Sequence, residues 1–348
     1  MSVHPSNVVP PAGAAPVAPV RAAVARPVPN LAGAIIRANK LTKEFAGNTV
    51  VQDVTFEVPR GAIFGFIGPS GSGKTTTLRM LTGIYEPTSG EVTVLGQHPS
   101  DFSQSTREKI GYMPQHFVLY PELTVWENLN FAASIYGMGF RRGKRLKELL
   151  DFVELTDARN KLARQISGGM QRRLSLAATL VHNPDLIFLD EPTAGIDPVL
   201  RRKFWDHFKQ LQQQGHTLFI TTQYVGETTH CDLVGVMTEG RLLVVDTPDG
   251  LRERAMGGDL VEVTTVERLP YVPYLNELSE LPFVRGQVRR ADDAGGLQLT
   301  VGEASTAIPT LVAWFREHNL PIVSIQEYLP PFDDVFVQLV KKDPHVPA

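Results

Sequence analysis

Two short stretches of this chain carry residue types that could handle phosphate. Gly68-Pro69-Ser70-Gly71-Ser72-Gly73-Lys74-Thr75 fits the spacing GxxxxGK[ST]. In that pattern glycines let backbone N–H groups close around phosphate oxygens, and the lysine neutralises the β and γ phosphates of a nucleoside triphosphate. Thr75 offers a hydroxyl to Mg²⁺, and Thr76 continues into a helix whose positive N-terminal end adds to the attraction. Further along, Asp190 and Glu191 close the apolar run Leu186-Ile187-Phe188-Leu189. Asp190 would hold Mg²⁺ directly or through water, and Glu191 would orient or deprotonate the attacking water. Taken alone, the acid pair has a lesser alternative as caps of a helix after a structural strand. Beside a phosphate loop it points to hydrolysis of ATP with Mg²⁺.

Elements of the right kind stand at the right places. The apolar run Ile63 to Ile67 precedes the loop and the helix-like Thr76 to Leu81 follows it, the strand–loop–helix context the motif needs. From about Ile35 to Asp246, short apolar runs alternate with helical stretches, which predicts an α/β domain with a parallel sheet and crossover helices. The run at 186–189 is apolar throughout, as in a central strand buried on both faces. In such sheets ligands bind outside the carboxyl ends of the strands, so the acid pair and the phosphate loop are expected to face one crevice.

Beyond Pro248 the pattern restarts: alternation at Leu260 to Val263, helix-like 272–280, strand-like 283–289 and 297–301, helix-like 306–318, strand-like 321–327. The order β-α-β-β-α-β predicts a small α+β unit of ferredoxin-like type over 247–348. It closes on a stretch with helical spacing at Phe332, Val335, Phe336 and Leu339. Residues 1–34 carry Pro5, Pro10, Pro11, Pro16, Pro19, Pro27 and Pro29, which break the apolar helix a signal peptide requires, and are expected to form a disordered Ala/Pro tail.

The composition narrows the partners. Of 348 residues, 43% are hydrophobic, enough for a real core. Basic residues number 34 and acidic ones 37, so the charge balance does not point to nucleic acid. A single cysteine, Cys231, excludes an internal disulfide and a Cys/His zinc cluster and fits a reducing cytosol. No window approaches the roughly eighteen consecutive apolar residues of a membrane helix, so any membrane role is expected to be peripheral.

Between the two phosphate-handling stretches lies Ile166-Ser167-Gly168-Gly169-Met170-Gln171. It opens a helix with apolar face Leu174, Ala177, Ala178 and Val181, and it resembles the LSGGQ signature of the ABC ATPase family. The resemblance spans about Ile35 to Asp246 and implies a P-loop ATPase domain with a helical subdomain at about 120–175. It also implies that Ser167, Gly168 and Gly169 bind the γ phosphate of a nucleotide held by the opposite subunit of a head-to-tail homodimer or pseudo-dimer. Carried over by position, Phe45 matches the aromatic that stacks on adenine. Gln115 matches the glutamine that contacts Mg²⁺ or the water and senses the transporter. Asp197, in Ala194-Gly195-Ile196-Asp197-Pro198, matches the loop that touches the partner. Independently of the family, Thr124 and Glu127 form a capping box for the next helix.

Two positions depart from the family pattern. Gln223 in Thr221-Thr222-Gln223-Tyr224 replaces the usual histidine; its amide can donate a hydrogen bond but carries no charge. Met170 stands where the signature has glutamine. Both departures, with Phe332-Asp333-Asp334-Val335-Phe336 near the end, resemble the daunorubicin-resistance type of ABC-2 exporter. That resemblance implies an ATPase at the cytoplasmic face of the cell membrane, acting on a separate ABC-2 permease, with Lys74, Glu191 and Gln223 in the reaction. A non-transport ABC ATPase acting on nucleic acid or ribosomes is the alternative, disfavoured because no second cassette, coiled-coil insert or zinc cluster is present. A nucleotide-binding regulator that scarcely hydrolyses has only Gln223 in its favour.

Overall fold

A computed structural model describes residues 33–342 apart from 117, 267–272, 287 and 291–295. The expected Ala/Pro tail thus lies outside the described residues, save for its last two positions. In chain order the elements are β1 (Ala34–Phe45), β2 (Asn48–Pro59), β3 (Ile63–Ile67), α1 (Lys74–Leu81), β4 (Ser89–Val94), α2 (Gln104–Arg107) and β5 (Ile110–Met113). Then come α3 (Val125–Ile135), α4 (Gly143–Phe152), α5 (Gly168–Thr179), β6 (Leu186–Asp190), α6 (Pro198–Gln213), β7 (Thr217–Thr222), β8 (Leu233–Thr238) and β9 (Arg241–Asp246). The remainder is α7 (Pro248–Met256), β10 (Asp259–Thr265), α8 (Pro273–Glu280), β11 (Arg289–Arg290), β12 (Gly296–Val301), α9 (Ala304–Glu317), β13 (Ile322–Tyr328) and α10 (Phe332–Lys341).

The central sheet runs β5-β6-β7-β3-β8-β9, parallel except for β9. Every residue of β3, β6, β7 and β8 is buried, which is why these strands read as apolar or threonine runs, interrupted only by Asp190 at the end of β6. On one face lies the antiparallel sheet β2-β1-β4 with α1, sealed by Phe56, Phe64, Phe66 and Phe219. The Phe64 and Phe219 rings stack with centroids 5.4 Å apart, and burying each such ring stabilises the fold by about 1.5–3 kcal/mol. On the other face pack α3 to α6, with Leu129, Leu150, Leu174, Phe204 and Phe208 in the core. The expected capping box is present: Thr124 Oγ1 accepts from the Glu127 N–H at 3.1 Å, and Glu127 Oε2 accepts from the Thr124 N–H at 2.8 Å.

After α7 the elements follow the anticipated β-α-β-β-α-β order, in an antiparallel sheet β11-β12-β10-β13 with its own core of Val261, Val263, Leu299, Leu311 and Phe315. The strand expected over 283–289 is reduced to Arg289–Arg290 plus a single bridge from Val284 to Val301. Gly286, at φ +88°, turns the chain out of extended geometry between them. Leu251 and Ala255 of α7 and Phe332 and Val335 of α10 join the core of the main α/β body, not that of the smaller sheet. A division at 246/247 by chain position therefore separates α7 and α10 from the core they pack in.

Candidate nucleotide site

Four neighbouring strands deliver the site, because each ends at the same edge of the sheet. β3 runs into the phosphate loop, β7 ends before Gln223, β6 ends on Asp190, and Gln115 lies just past β5. The loop needs its glycines. Gly73, the N-cap of α1, sits at φ +99°, and a Cβ there would lie 2.7 Å from Met237 Cε and 2.9 Å from the Val50 carbonyl oxygen. A Cβ on Gly68 would meet the Met237 carbonyl oxygen at 2.0 Å. Either side chain would force backbone apart. Pro69, Ser70 and Gly71 are exposed on the loop, Ser72 is buried, and Thr76 continues α1.

Lys74 is buried, and its Nζ donates to the carbonyls of Gly68 and Pro69, each at 2.9 Å. Burial lowers its pKa, while the neighbouring Glu191 and Asp190 charges raise it and favour the ammonium form. Nζ lies 3.9 Å from Glu191 Oε1, and the other oxygen, Oε2, accepts from Gln115 Nε2 at 2.9 Å. Thr75 Oγ1 donates to Asp190 Oδ1 at 3.0 Å. Asp190 Oδ2 is buried without a hydrogen-bond partner. An unpartnered carboxylate oxygen beside a threonine hydroxyl fits Mg²⁺, a hard cation typically held by one or two carboxylates together with substrate phosphates. Lys74, Thr75, Gln115, Asp190 and Glu191 are thus brought together.

The other expected residues stand around this cluster. Gln223 follows β7 and is exposed. Phe45, at the end of β1, is 37% exposed, with its ring edge-on to Tyr85 at 5.3 Å and the Lys43 ammonium 5.0 Å from its centroid. Such an open aromatic platform can stack on a base. Ser167 caps α5, accepting from the Met170 N–H at 3.3 Å, with Gly168 exposed at the first turn. Gly169 lies against α6, where a Cβ would come 2.7 Å from Leu200. Asp197 caps α6, its Oδ1 accepting from the N–H groups of Val199 and Leu200 at 3.0 Å.

Two participants escaped the sequence. Thr221 Oγ1 donates to Asp190 Oδ1 at 2.7 Å and accepts from the Glu191 N–H at 3.0 Å. Arg172 of α5 donates from Nη1 to the Glu191 carbonyl at 2.7 Å. Thr221 looks like any strand threonine until register sets it opposite Asp190, and Arg172 sits in α5 with no motif to mark it.

A family model described as ABC transporter matches residues 51–194. The probable multidrug ABC transporter ATP-binding protein YbhF of Escherichia coli is 38% identical over 231 residues, which cover 66% of this chain and 40% of that protein. This chain therefore aligns with under half of that relative's length. The linearmycin resistance ATP-binding protein LnrL of Bacillus subtilis is 32% identical over 307 residues, 88% of this chain and 98% of its own. Among solved structures, the dimeric ATP-binding cassette MJ0796, bound to ADP and Pi, superposes with a TM-score of 0.56 at 27% identity, covering 61% of this chain and 98% of that one. A phosphate loop facing an acid pair, and a relative matched along almost its whole length, place this chain in the ABC transporter family, among its ATP-binding subunits.

Proposed function

We propose that this chain is the ATP-hydrolysing motor of an ABC exporter, paired with a second ATPase subunit and driving a separate ABC-2 permease from the cytoplasmic face of the membrane. The observation that carries the hydrolytic reading is the setting of Glu191, with one carboxylate oxygen on Gln115 and the other near Lys74, beside the phosphate loop. Glu191 accepts a proton from water as the water oxygen attacks the γ phosphorus. The bond to the β–γ bridging oxygen breaks, and ADP leaves with that electron pair. Lys74 neutralises charge on the β and γ phosphates, and Gln223 donates a hydrogen bond to the γ phosphate. Asp190 and Thr75 would hold Mg²⁺, which when bound would supply positive charge to the phosphate oxygens.

The export reading rests on relatives named for multidrug transport and linearmycin resistance. The Thr221-Thr222-Gln223-Tyr224 and Phe332-Asp333-Asp334-Val335-Phe336 stretches support the ABC-2 exporter type. Peripheral association agrees with the fact that no helix among the described residues is long and apolar enough to cross a membrane.

Glu191→Gln tests the chemistry. Turnover measured as Mg²⁺-dependent phosphate release should fall by on the order of 10²–10⁴, the usual contribution of a general base, while ATP binding persists. Normal turnover in that variant would remove Glu191 from the mechanism. Co-purification of the tagged chain from native membranes should recover a polytopic permease; recovery of ribosomes or nucleic acid alone would sink the transport reading.

A further inference from the structure

Glu191 is a non-glycine residue held at φ +47°, in the left-handed region that side chains disfavour. Its backbone is pinned on both sides. The N–H is shared between the Thr221 carbonyl at 3.1 Å and the Thr221 hydroxyl at 3.0 Å. The carbonyl accepts from Arg172 Nη1 at 2.7 Å and from the Ala194 N–H at 3.2 Å. Thr221 is fully buried, and its hydroxyl hydrogen goes to Asp190 Oδ1 at 2.7 Å. Asp190 Oδ1, which also accepts from Thr75, therefore faces two donors, and Oδ2 is the oxygen left for a cation.

Resting on the hydrolytic reading of Glu191, we propose that Thr221 is a positioning residue: one hydroxyl that fixes the carboxylate plane of Asp190 and the strained turn of Glu191 at once. The position needs a single small atom that donates in one direction and accepts from another. Serine meets that requirement; valine has threonine's shape and neither function. Register accounts for the location, since β7 places Thr221 directly beside Asp190 at the strand ends. A hydrogen-bond partner behind a metal-binding carboxylate typically governs metal affinity or activity by about 10–100-fold.

The test compares Thr221→Val, Thr221→Ala and Thr221→Ser in the full chain. Valine should fold, because Glu191 N–H keeps the Thr221 carbonyl and Asp190 Oδ1 keeps Thr75; alanine is the second choice should valine overpack. Expected for both is a kcat lowered about tenfold or more. The Mg²⁺ concentration that half-saturates binding of a fluorescent ATP analogue should rise by a similar factor, with nucleotide binding in EDTA unchanged. Serine should restore both quantities, which a merely structural role would not produce. Wild-type kcat and Mg²⁺ dependence in the valine and alanine variants would overturn the proposal. With Glu191→Gln inactive, that result would overturn only the role of Thr221; normal turnover in Glu191→Gln would overturn the reading beneath it.

Discussion

Gln223 stands directly after β7, exposed at the edge of the sheet where the phosphate loop and Asp190 also emerge. A histidine there could offer an imidazolium to the γ phosphate, whereas the amide offers only a neutral donor. A cationic donor adds direct Coulomb attraction to the phosphate that a neutral amide lacks. Turnover is therefore expected to run slower than with histidine but to depend on the amide. Gln223→Ala should lower the steady-state ATPase rate by about tenfold, equivalent to about 1.4 kcal/mol of transition-state stabilisation, and Gln223→His should keep or raise it. An unchanged rate in the alanine variant would mean that Gln223 does not reach the phosphate. At this scale the sequence told most where spacing itself encodes chemistry: Lys74, Thr75, Asp190 and Glu191 could be named from their motifs and meet in one cluster. Thr221 could not, because its value comes from the strand beside it and not from its neighbours in the chain.

The strands that hold the site were legible for a related reason. β3 and β7 begin and end where their apolar or threonine runs do, since a strand buried on both faces leaves no polar position to blur its ends. The segment 283–289 failed as a strand because alternation alone does not register a left-handed glycine inside it. Helical spacing at Phe332, Val335, Phe336 and Leu339 announced α10 but not its berth. Phe332 and Val335 enter the main core with Leu251 and Ala255 of α7. The Arg252 guanidinium lies 4.1 Å from the Phe332 ring centroid, and Lys342 Nζ donates to the Arg254 carbonyl at 2.8 Å. The last helix thus returns past the smaller sheet to brace the ATPase body. Phe332→Ala should destabilise that body by about 3–5 kcal/mol, as for a buried ring removed from a packed core, read as a lower urea midpoint. A loss of under about 1 kcal/mol would be the size of a surface change and would mean that the ring is not part of that core.

At the scale of the assembly, two helix N-termini point outward. Ser167 and Gly168 at the start of α5 are exposed, as is Asp197 at the start of α6. Gly169 holds the two starts close, since a Cβ there would strike Leu200. Exposed backbone N–H groups on a helix end attract phosphate oxygens, and in the proposed head-to-tail pair each signature end meets the nucleotide on the other subunit's loop. Binding energy for ATP then becomes association energy, because nucleotide bound by two subunits favours the pair over the separate chains by mass action. In that arrangement hydrolysis would remove the γ phosphate that both subunits share and would release the pair. The Glu191→Gln chain with saturating MgATP should therefore sediment as a dimer, while the same chain in ADP sediments as a monomer. Gly168→Arg should abolish the dimer yet leave nucleotide binding by the single chain intact, because Gly168 has open space around it and lies away from its own phosphate loop in sequence. A Glu191→Gln chain that binds MgATP fully and stays monomeric would refute the shared-phosphate arrangement, and the signature glycines would then need a role within their own subunit.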